Sequence, residues 1–528
     1  MIKTEITLPI KYNTADLLTA VRNALPMERV NVDDILIIRR TLVSKGDGKP
    51  HYKASVGVSL GEDRERALLK IKRFSACLEY SLTLPKFTAD FRPVVVGFGP
   101  AGMFAALSLA EAGARPIVLE RGLPVDDRAR RIDTFNRLGI LDTECNVQFG
   151  EGGAGTYSDG KLKSGAMDKY KMKVLSEFVD AGATEDIMYS ATAHLGTDRL
   201  GNIVKNIREK IISLGGEVIF SARVCDIEIK DEKISSVSYE KDGNVIKVPT
   251  RAAIFATGHS ARDTVRMLKS SGLPIEARGF GIGLRIEHPR EYMNGIVYRD
   301  DAAYIDETAS YHLVTHLPNG RSVYSFCMCP GGTVVGAASE EGGIVTNGMS
   351  EFDRMADNSN AALLVSVTPA DFGSDDPLAG FDLQRKIESA AFNLSRDYRA
   401  PSFRLSDFLE GRGDSSIGGV KPSYPRGTVI SSPDTYLPDY VTESLQLSIP
   451  DFDSWLPGYN YGDAVLTGPE TRTTSPIRIL RTDLGEAEGF SGIYPTGEGA
   501  GYAGGIVSSA TDGIRQAEKL IRAFSSAD

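Results

Sequence analysis

Gly97, Gly99 and Gly102 stand in G-x-G-x-x-G spacing directly after a β-branched run of valines at 94, 95 and 96. Each glycine has its own task. Gly97 permits a tight turn, Gly99 lets a pyrophosphate come against bare backbone, and Gly102 lets a helix pack closely on the strand. Pro100 suits the first helical turn because it has no N–H to leave unpaired. Phosphates then sit at a helix N-terminus, where free N–H groups and the dipole favour an anion. Glu120, 23 residues after Gly97 and next to Arg121, falls where a carboxylate accepts a hydrogen bond from a ribose hydroxyl. Together these residues point to a dinucleotide site.

The elements needed to hold such a site are legible around it. The run 103–110 is apolar almost all round, as expected for a covered helix, and Gly113 stands where a left-handed C-cap would end it. A second strand follows at 116–119. A second glycine-rich run, GEGGAGTYSDGKL at 150–162, offers flexible backbone with Gly153, Ser158 and Lys161 as its flank of donors. It suits a phosphate or a flat ring edge, with a mobile surface loop as the lesser alternative. Ala256, Thr257 and Gly258 end a short strand with small residues where backbone must pass near a nucleotide. The chain closes on a third glycine-dense turn, 496–505, opening a helix whose apolar residues Ile506, Ala510, Ile514, Ala517 and Ile521 keep to one face. That N-terminus can meet a developing negative charge.

Composition bounds the remaining possibilities. The 528 residues suffice for two to four domains, and 41% hydrophobic with 25% charged residues is ordinary for a globular protein. No uncharged apolar run approaches the ~20 residues that span a bilayer, and the start MIKTEITLPI lacks an apolar signal core, so a cytoplasmic protein is expected. Cys77, Cys145, Cys225, Cys327 and Cys329 form an odd, scattered set, which argues for a reducing compartment over a disulfide framework. A net charge of −10 makes nucleic acid an unsuitable partner.

Residues 1–90 differ from the rest, with 15 Lys and Arg against 11 Asp and Glu. Strands at 4–10, 34–42, 52–60 and 79–84, with helices at 14–24 and 62–74, give the β-α-β-β-α-β order of a ferredoxin-like module. It reads as a docking or packing module, able to hold a protein partner, since its strands lack the aromatics that stack bases. The nucleotide-binding part spans 91–271, with a solvated arginine-rich helix at 128–137, a helix at 198–214, a strand at 217–220 and a β-meander at 224–229 and 234–239. Short alternating strands from 272 to 465 read as an inserted α+β domain roofing a substrate cavity, and 466–528 returns to the first pattern. The fold class is therefore α/β: a Rossmann-like parallel sheet with a β-meander, an inserted α+β domain and the N-terminal module.

Longer motifs carry a resemblance. The stretch VVVGFGPAGMFAALSLAEAGARPIVLERG, with ATGHS and PTGEGAGYAGGI, resembles FAD-dependent oxidoreductases of the glutathione-reductase-like, two-dinucleotide-binding-domain fold. QFGEGGAGTYSDGKL, SFCMCPGGTVV, NGMS and ETRTTSPIRI look more closely like bacterial FAD-dependent, NAD(FAD)-utilizing dehydrogenases of no settled substrate. The resemblance implies that Gly97, Gly99, Pro100, Ala101 and Gly102 hold the FAD pyrophosphate and Glu120 the ribose. It places Val224 beside the adenine and Ala256, Thr257 and Gly258 along the ADP half. It puts Gly497 and Glu498 where related flavoproteins use Gly-Asp, with Gly504, Gly505 and Ile506 at the flavin pyrimidine end.

Two absences narrow the chemistry. No cysteine pair stands on the helix after the first glycine turn, and no second complete G-x-G-x-x-G unit exists, so NAD(P)H would dock only transiently as electron donor. Cys327 and Cys329 flank one residue and read as small buried hydrophobes, with a metal or redox pair the sharper alternative. His288 is a candidate acid/base, although a structural histidine at a strand end suits it better. Arg472 and Arg478 offer planar forks to an anionic substrate, with ion pairs the alternative, and Tyr502 lies close enough in sequence to stack near the ring. No metal site is expected. The sequence thus leads to an oxidoreductase passing hydride between a small organic substrate and FAD, with a monooxygenase or a flavin-binding sensor or assembly protein as alternatives.

Overall fold

The computed structural model describes residues 1–27, 30–44, 49–78, 80–163, 165–413 and 416–525. At its centre lies a five-stranded parallel sheet ordered Ile493–Pro495, Ala253–Phe255, Val94–Val96, Ile117–Leu119, Glu217–Ile219. Alternation along these short strands builds two cores. Val95 and Ile254 point into a cluster with Phe104, Ile207 and Ile514, whereas Val94, Val96, Ala253 and Phe255 point into another with Leu119 and Val237. The first face is covered by the helices Pro100–Glu111, Thr197–Ser213 and Ile506–Phe524, the second by the meander Arg223–Lys230, Lys233–Lys241, Asn244–Pro249. Strands covered on both faces need no polar residues, which is why they read as plain apolar runs.

Two glycines set how closely the helices approach. A Cβ on Gly102 would strike the Gly97 carbonyl, and one on Gly513 would lie 2.9 Å from the Ala101 carbonyl carbon. The first and last helices of the nucleotide-binding part therefore touch backbone to backbone.

The inserted part is a seven-stranded sheet ordered Val314–His316, Ser322–Cys329, Asn358–Val367, Phe280–Pro289, Val465–Glu470, Ala400–Arg404, Thr428–Ile430. It is entered and left through a two-stranded ribbon, Ile275–Ala277 against Ile477–Ile479. Its strand Val465–Glu470 pairs with Phe280–Pro289, so the sheet runs past the limit expected at 465. One long helix, Asp439–Trp455, was not expected: Pro450 sits inside it and breaks the sequence pattern.

The N-terminal sheet has the order Asp34–Val43, His51–Ser59, Ile2–Pro9, Ser75–Ala76, with helices Thr14–Ala24 and Glu62–Leu68. This is the ferredoxin-like order. The second helix stops short of 74, and the last strand is Ser75–Ala76 instead of 79–84; Glu79 lies outside the described residues and 80–84 form no strand. The arginine-rich helix, Val125–Leu138, is solvated on one side only. Arg128 is fully buried, donating to the carbonyls of Asn146, Val147 and Glu151 and so tying down the chain that leads into the second glycine run. No described helix is long and apolar enough to cross a membrane.

Candidate functional site

Three glycine-rich runs, distant in sequence, meet at the carboxyl ends of the parallel strands. Gly97 has φ +95, and a Cβ there would lie 2.5 Å from the Ala256 carbonyl oxygen. Gly153 has φ +61, and its Cβ would lie 2.9 Å from the Gly99 Cα, so the second run is packed against the first turn and is no free surface loop. Gly152 N–H donates to the Phe98 carbonyl at 2.9 Å, which fixes that contact. In the third run a Cβ on Gly499 would meet the Gly258 nitrogen at 2.9 Å.

Between the runs lies a cavity of about 400 Å³, within the ordinary range for small-molecule sites. Gly99, Pro100 and Ala101 present one helix N-terminus to it, and Gly504, Gly505 and Ile506 present another. Gly97, Glu120, Arg121, Val224, Ala256, Thr257 and Gly258 line one end; Gly153, Ser158, Lys161 and Glu498 line it further along. The inserted part contributes Phe326, Cys327, Asn347, Glu470, Arg472 and Thr473. Gly102 and Gly497 do not line the cavity. Gly102 serves helix packing as its spacing predicts, and the Gly497 N–H donates to Asp512 at 2.8 Å.

The electrostatics differ along the cavity. Glu120 accepts from the N–H groups of Gly122 and Gly150 on one oxygen and from Phe98 on the other, which leaves that second oxygen a lone pair for a ribose hydroxyl. Arg121 is paired with Asp263 and Glu144. Burial, with the guanidinium groups of Arg472 and Arg262 nearby, pushes the His259 pKa down to about 3, so this cavity-lining imidazole is neutral at ordinary pH. Burial, with the Cys327 sulfur adding to it, lifts the Glu498 carboxyl to about 8, so it holds its proton at neutral pH.

Three residues expected to be catalytic are engaged in structural contacts instead. His288 is fully buried within the inserted sheet, its Nε2 on the Tyr459 carbonyl at 2.9 Å, and does not reach the cavity. Tyr502 turns away: its hydroxyl donates to the Ile479 carbonyl at 3.0 Å and its ring lies under Arg481. Arg472 does line the cavity, but its fork is closed on Glu388 at 3.0 Å through both Nε and Nη2, with Nη2 also reaching Glu340 and Nη1 donating to Ser339. No fork remains open for a substrate anion. Arg478 lies outside the cavity and reaches the Gly501 carbonyl at 3.4 Å.

Sequence reasoning missed His259, Phe326, Asn347, Glu470 and Thr473 as lining residues. The motifs ATGHS, SFCMCPGG, NGMS and ETRTT held them, but nothing in the spacing told which face each would take.

An uncharacterised protein of Clostridium beijerinckii is 44% identical over 510 residues, covering 95% of this chain and 94% of its own. The chain belongs to the same family. Residues 279–473 match the family model described as FAD-dependent protein, C-terminal domain-like. FAD is the cofactor of this family, and the site accommodates it: a glycine cradle that a Cβ would fill, two helix N-termini and a ribose-ready carboxylate share one cavity. Among solved structures, the flavin-dependent brominase Bmp2 is 12% identical, with TM-score 0.37 over 83% of this chain and 80% of its own. The 3-ketosteroid-Δ4-(5α)-dehydrogenase of Rhodococcus jostii RHA1 is 13% identical, with TM-score 0.35 over 84% of this chain and 100% of its own. Likenesses of this size carry no inference about reaction or substrate.

Proposed function

We propose that this family member is an FAD-dependent oxidoreductase that passes hydride between a small organic substrate and the flavin. The observation that carries the reading is the single cavity that joins the nucleotide-binding glycines to a wall from the inserted sheet. Gly97, Gly99, Pro100 and Ala101 would hold the pyrophosphate at the N-terminus of Pro100–Glu111, with Glu120 on the ribose and Val224 beside the adenine. Ala256, Thr257 and Gly258 keep that flank narrow. Gly153, Ser158 and Lys161 would line the ring end opposite Gly504, Gly505 and Ile506. Bound there, FAD supplies two-electron redox chemistry, and the protein's part is to orient, tune and screen it.

The chain's own groups support this. The N-terminus of Ile506–Phe524 favours negative charge at the ring end. Glu498 holds a proton at the cavity wall near neutral pH and can donate it to a hydrogen bond there. Phe326 and the rest of the inserted wall would cover the ring from that side. Among the described residues the five-stranded sheet is the one all-parallel sheet, so NAD(P)H would dock only transiently.

The test is anaerobic. The yellow protein is mixed in turn with NADH, NADPH and a panel of organic acids, alcohols and amines, and loss of flavin colour is followed. Rapid bleaching by one organic compound supports a dehydrogenase. Bleaching by none contradicts it.

A further inference from the structure

The expectation for Cys327 and Cys329 was two small buried hydrophobes. Cys329 is buried as expected, but Cys327 is half-buried and lines the cavity. In a straight strand, residues two apart share a face but stand roughly 6.6 Å apart along it, at ~3.3 Å per residue. Here the strand is not straight. Pairing with Asn358–Val367 runs to Phe326 opposite Ala362 and resumes only at Cys329 opposite Asn360, and Cys327 between them takes φ +39. A left-handed φ on a cysteine is strained, and such strain gathers at functional positions. The bulge turns the Cys329 thiol back onto Cys327, where it donates to the Cys327 carbonyl at 3.2 Å.

The surroundings make the pair unequal. Arg285, fully buried, donates to the Cys327 carbonyl at 2.9 Å and reaches the Cys329 sulfur at 3.5 Å. The Lys161 ammonium donates to the carbonyl of Met328, between the two cysteines. The acids facing them are Asp159, Glu470 and Glu498. Asp159 is closed on Arg354 at 2.6 Å and on Lys161 at 3.0 Å, and Glu470 on Arg285 at 3.2 Å. The neighbouring Cys329 thiol lowers the Cys327 thiol against the opposing effect of burial, with Lys161 and Arg285 assisting; the same neighbour relation, and burial, raise Cys329. The thiol at the cavity is thus the one held lower and the thiol behind it the one held higher, the arrangement of an attacking and a resolving sulfur.

We propose that Cys327 and Cys329 form a redox-active dithiol that exchanges an electron pair with the flavin, an inference that rests on the FAD reading above. The Cys327 thiolate and Cys329 thiol form one S–S bond, releasing two electrons and the Cys329 proton. Bound FAD would supply the two-electron acceptor for that pair and one proton, and the helix N-terminus at Gly504, Gly505 and Ile506 would favour the negative charge that results. The reverse step reopens the disulfide. Lys161 and Arg285 hold the thiolate charge on the reduced side.

The full-length holoenzyme tests this without any substrate. Bound FAD is first quantified; the protein is then oxidised with diamide, freed of reagent and titrated anaerobically with dithionite. The wild type is expected to take up four electrons per FAD, and Cys327→Ser and Cys329→Ser, each retaining FAD and normal circular dichroism, two. In parallel, the denatured oxidised protein should lose alkylation by iodoacetamide at Cys327 and Cys329 only, with Cys77, Cys145 and Cys225 as internal controls. Uptake of two electrons per FAD by the oxidised wild type, with both cysteines still alkylated, would overturn the proposal. A wild type that holds no FAD would overturn the functional reading as well, and is recognised at the first step.

Discussion

At the scale of single residues, the carboxylate of Glu388 decides the shape of the cavity wall. It is fully buried and accepts from Arg262 at 2.9 Å, from Arg472 at 3.0 Å and from Thr471 at 2.8 Å. Burial alone would raise its pKa, but the two guanidinium groups outweigh that and hold it well below the usual carboxylate range. A lowered folded-state pKa contributes stability that is complete above the unfolded value of ~4.3 and disappears as pH falls below it. Glu388→Gln leaves two buried cations short of a counter-charge, and breaking such a group costs about 3–5 kcal/mol. Urea unfolding at neutral pH should show that loss, and the wild-type advantage should shrink as the pH is lowered through the acid range. Equal stability of the two proteins at neutral pH would contradict the assignment. Arg472 shows why one sequence could not supply this: its type fits a substrate anion and a buried ion pair equally well. Only the position of Glu388, 84 residues earlier, selects the second.

At the scale of elements, the glycine spacing told most about the site and least about the insertion. G-x-G-x-x-G with its flanking strand and helix was legible because each glycine answers a local backbone need, as Gly97 and Gly102 do here. His288 and Tyr502 were misplaced because sequence proximity to a cavity strand says nothing about which face a side chain takes. The bulge at Cys327 is a two-strand property, set by register with Asn358–Val367, and so was invisible along one strand. The contact between Pro100–Glu111 and Ile506–Phe524 gives an element-scale prediction. Gly513→Val forces a side chain onto the Ala101 backbone and spreads the two helix N-termini that meet at the cavity. The overpacking should cost about 2 kcal/mol or more and weaken FAD retention in the same variant. Thermal melting and flavin content after gel filtration read the two effects; a stable variant with full flavin would refute the packing argument.

At the scale of the whole molecule, the basic N-terminal module is fastened to both other parts. The Arg40 guanidinium lies 4.6 Å from the ring centre of Tyr52 in its own module and 5.3 Å from that of Tyr189 in the nucleotide-binding part. Its backbone extends the contact, donating to the Tyr189 carbonyl at 2.8 Å. Tyr52 in turn donates to Glu307 of the inserted part at 2.7 Å. Arg40→Ala removes cation–π contacts worth about 1–2 kcal/mol when shielded from water. Residues 80–91, which link the module to the first parallel strand without helix or strand of their own, should then be cut roughly tenfold faster by a dilute protease, as ~1.4 kcal/mol is a tenfold change in population. An unchanged cleavage rate would show that the docking lies elsewhere.

The whole account depends on one FAD seated between the three glycine runs, and release of bound flavin from Gly99→Val beside the wild type tests it most directly. A Cβ on Gly99 would lie in ordinary contact with the Gly153 Cα, at 3.7 Å, so the branches of a valine there would project into the cradle without a forbidden backbone angle. Heat-released flavin should identify as FAD, near one per wild-type chain, and fall to almost none in a variant whose circular dichroism is unchanged. A folded Gly99→Val protein carrying full FAD, or a wild type carrying none, would contradict the placement of the cofactor.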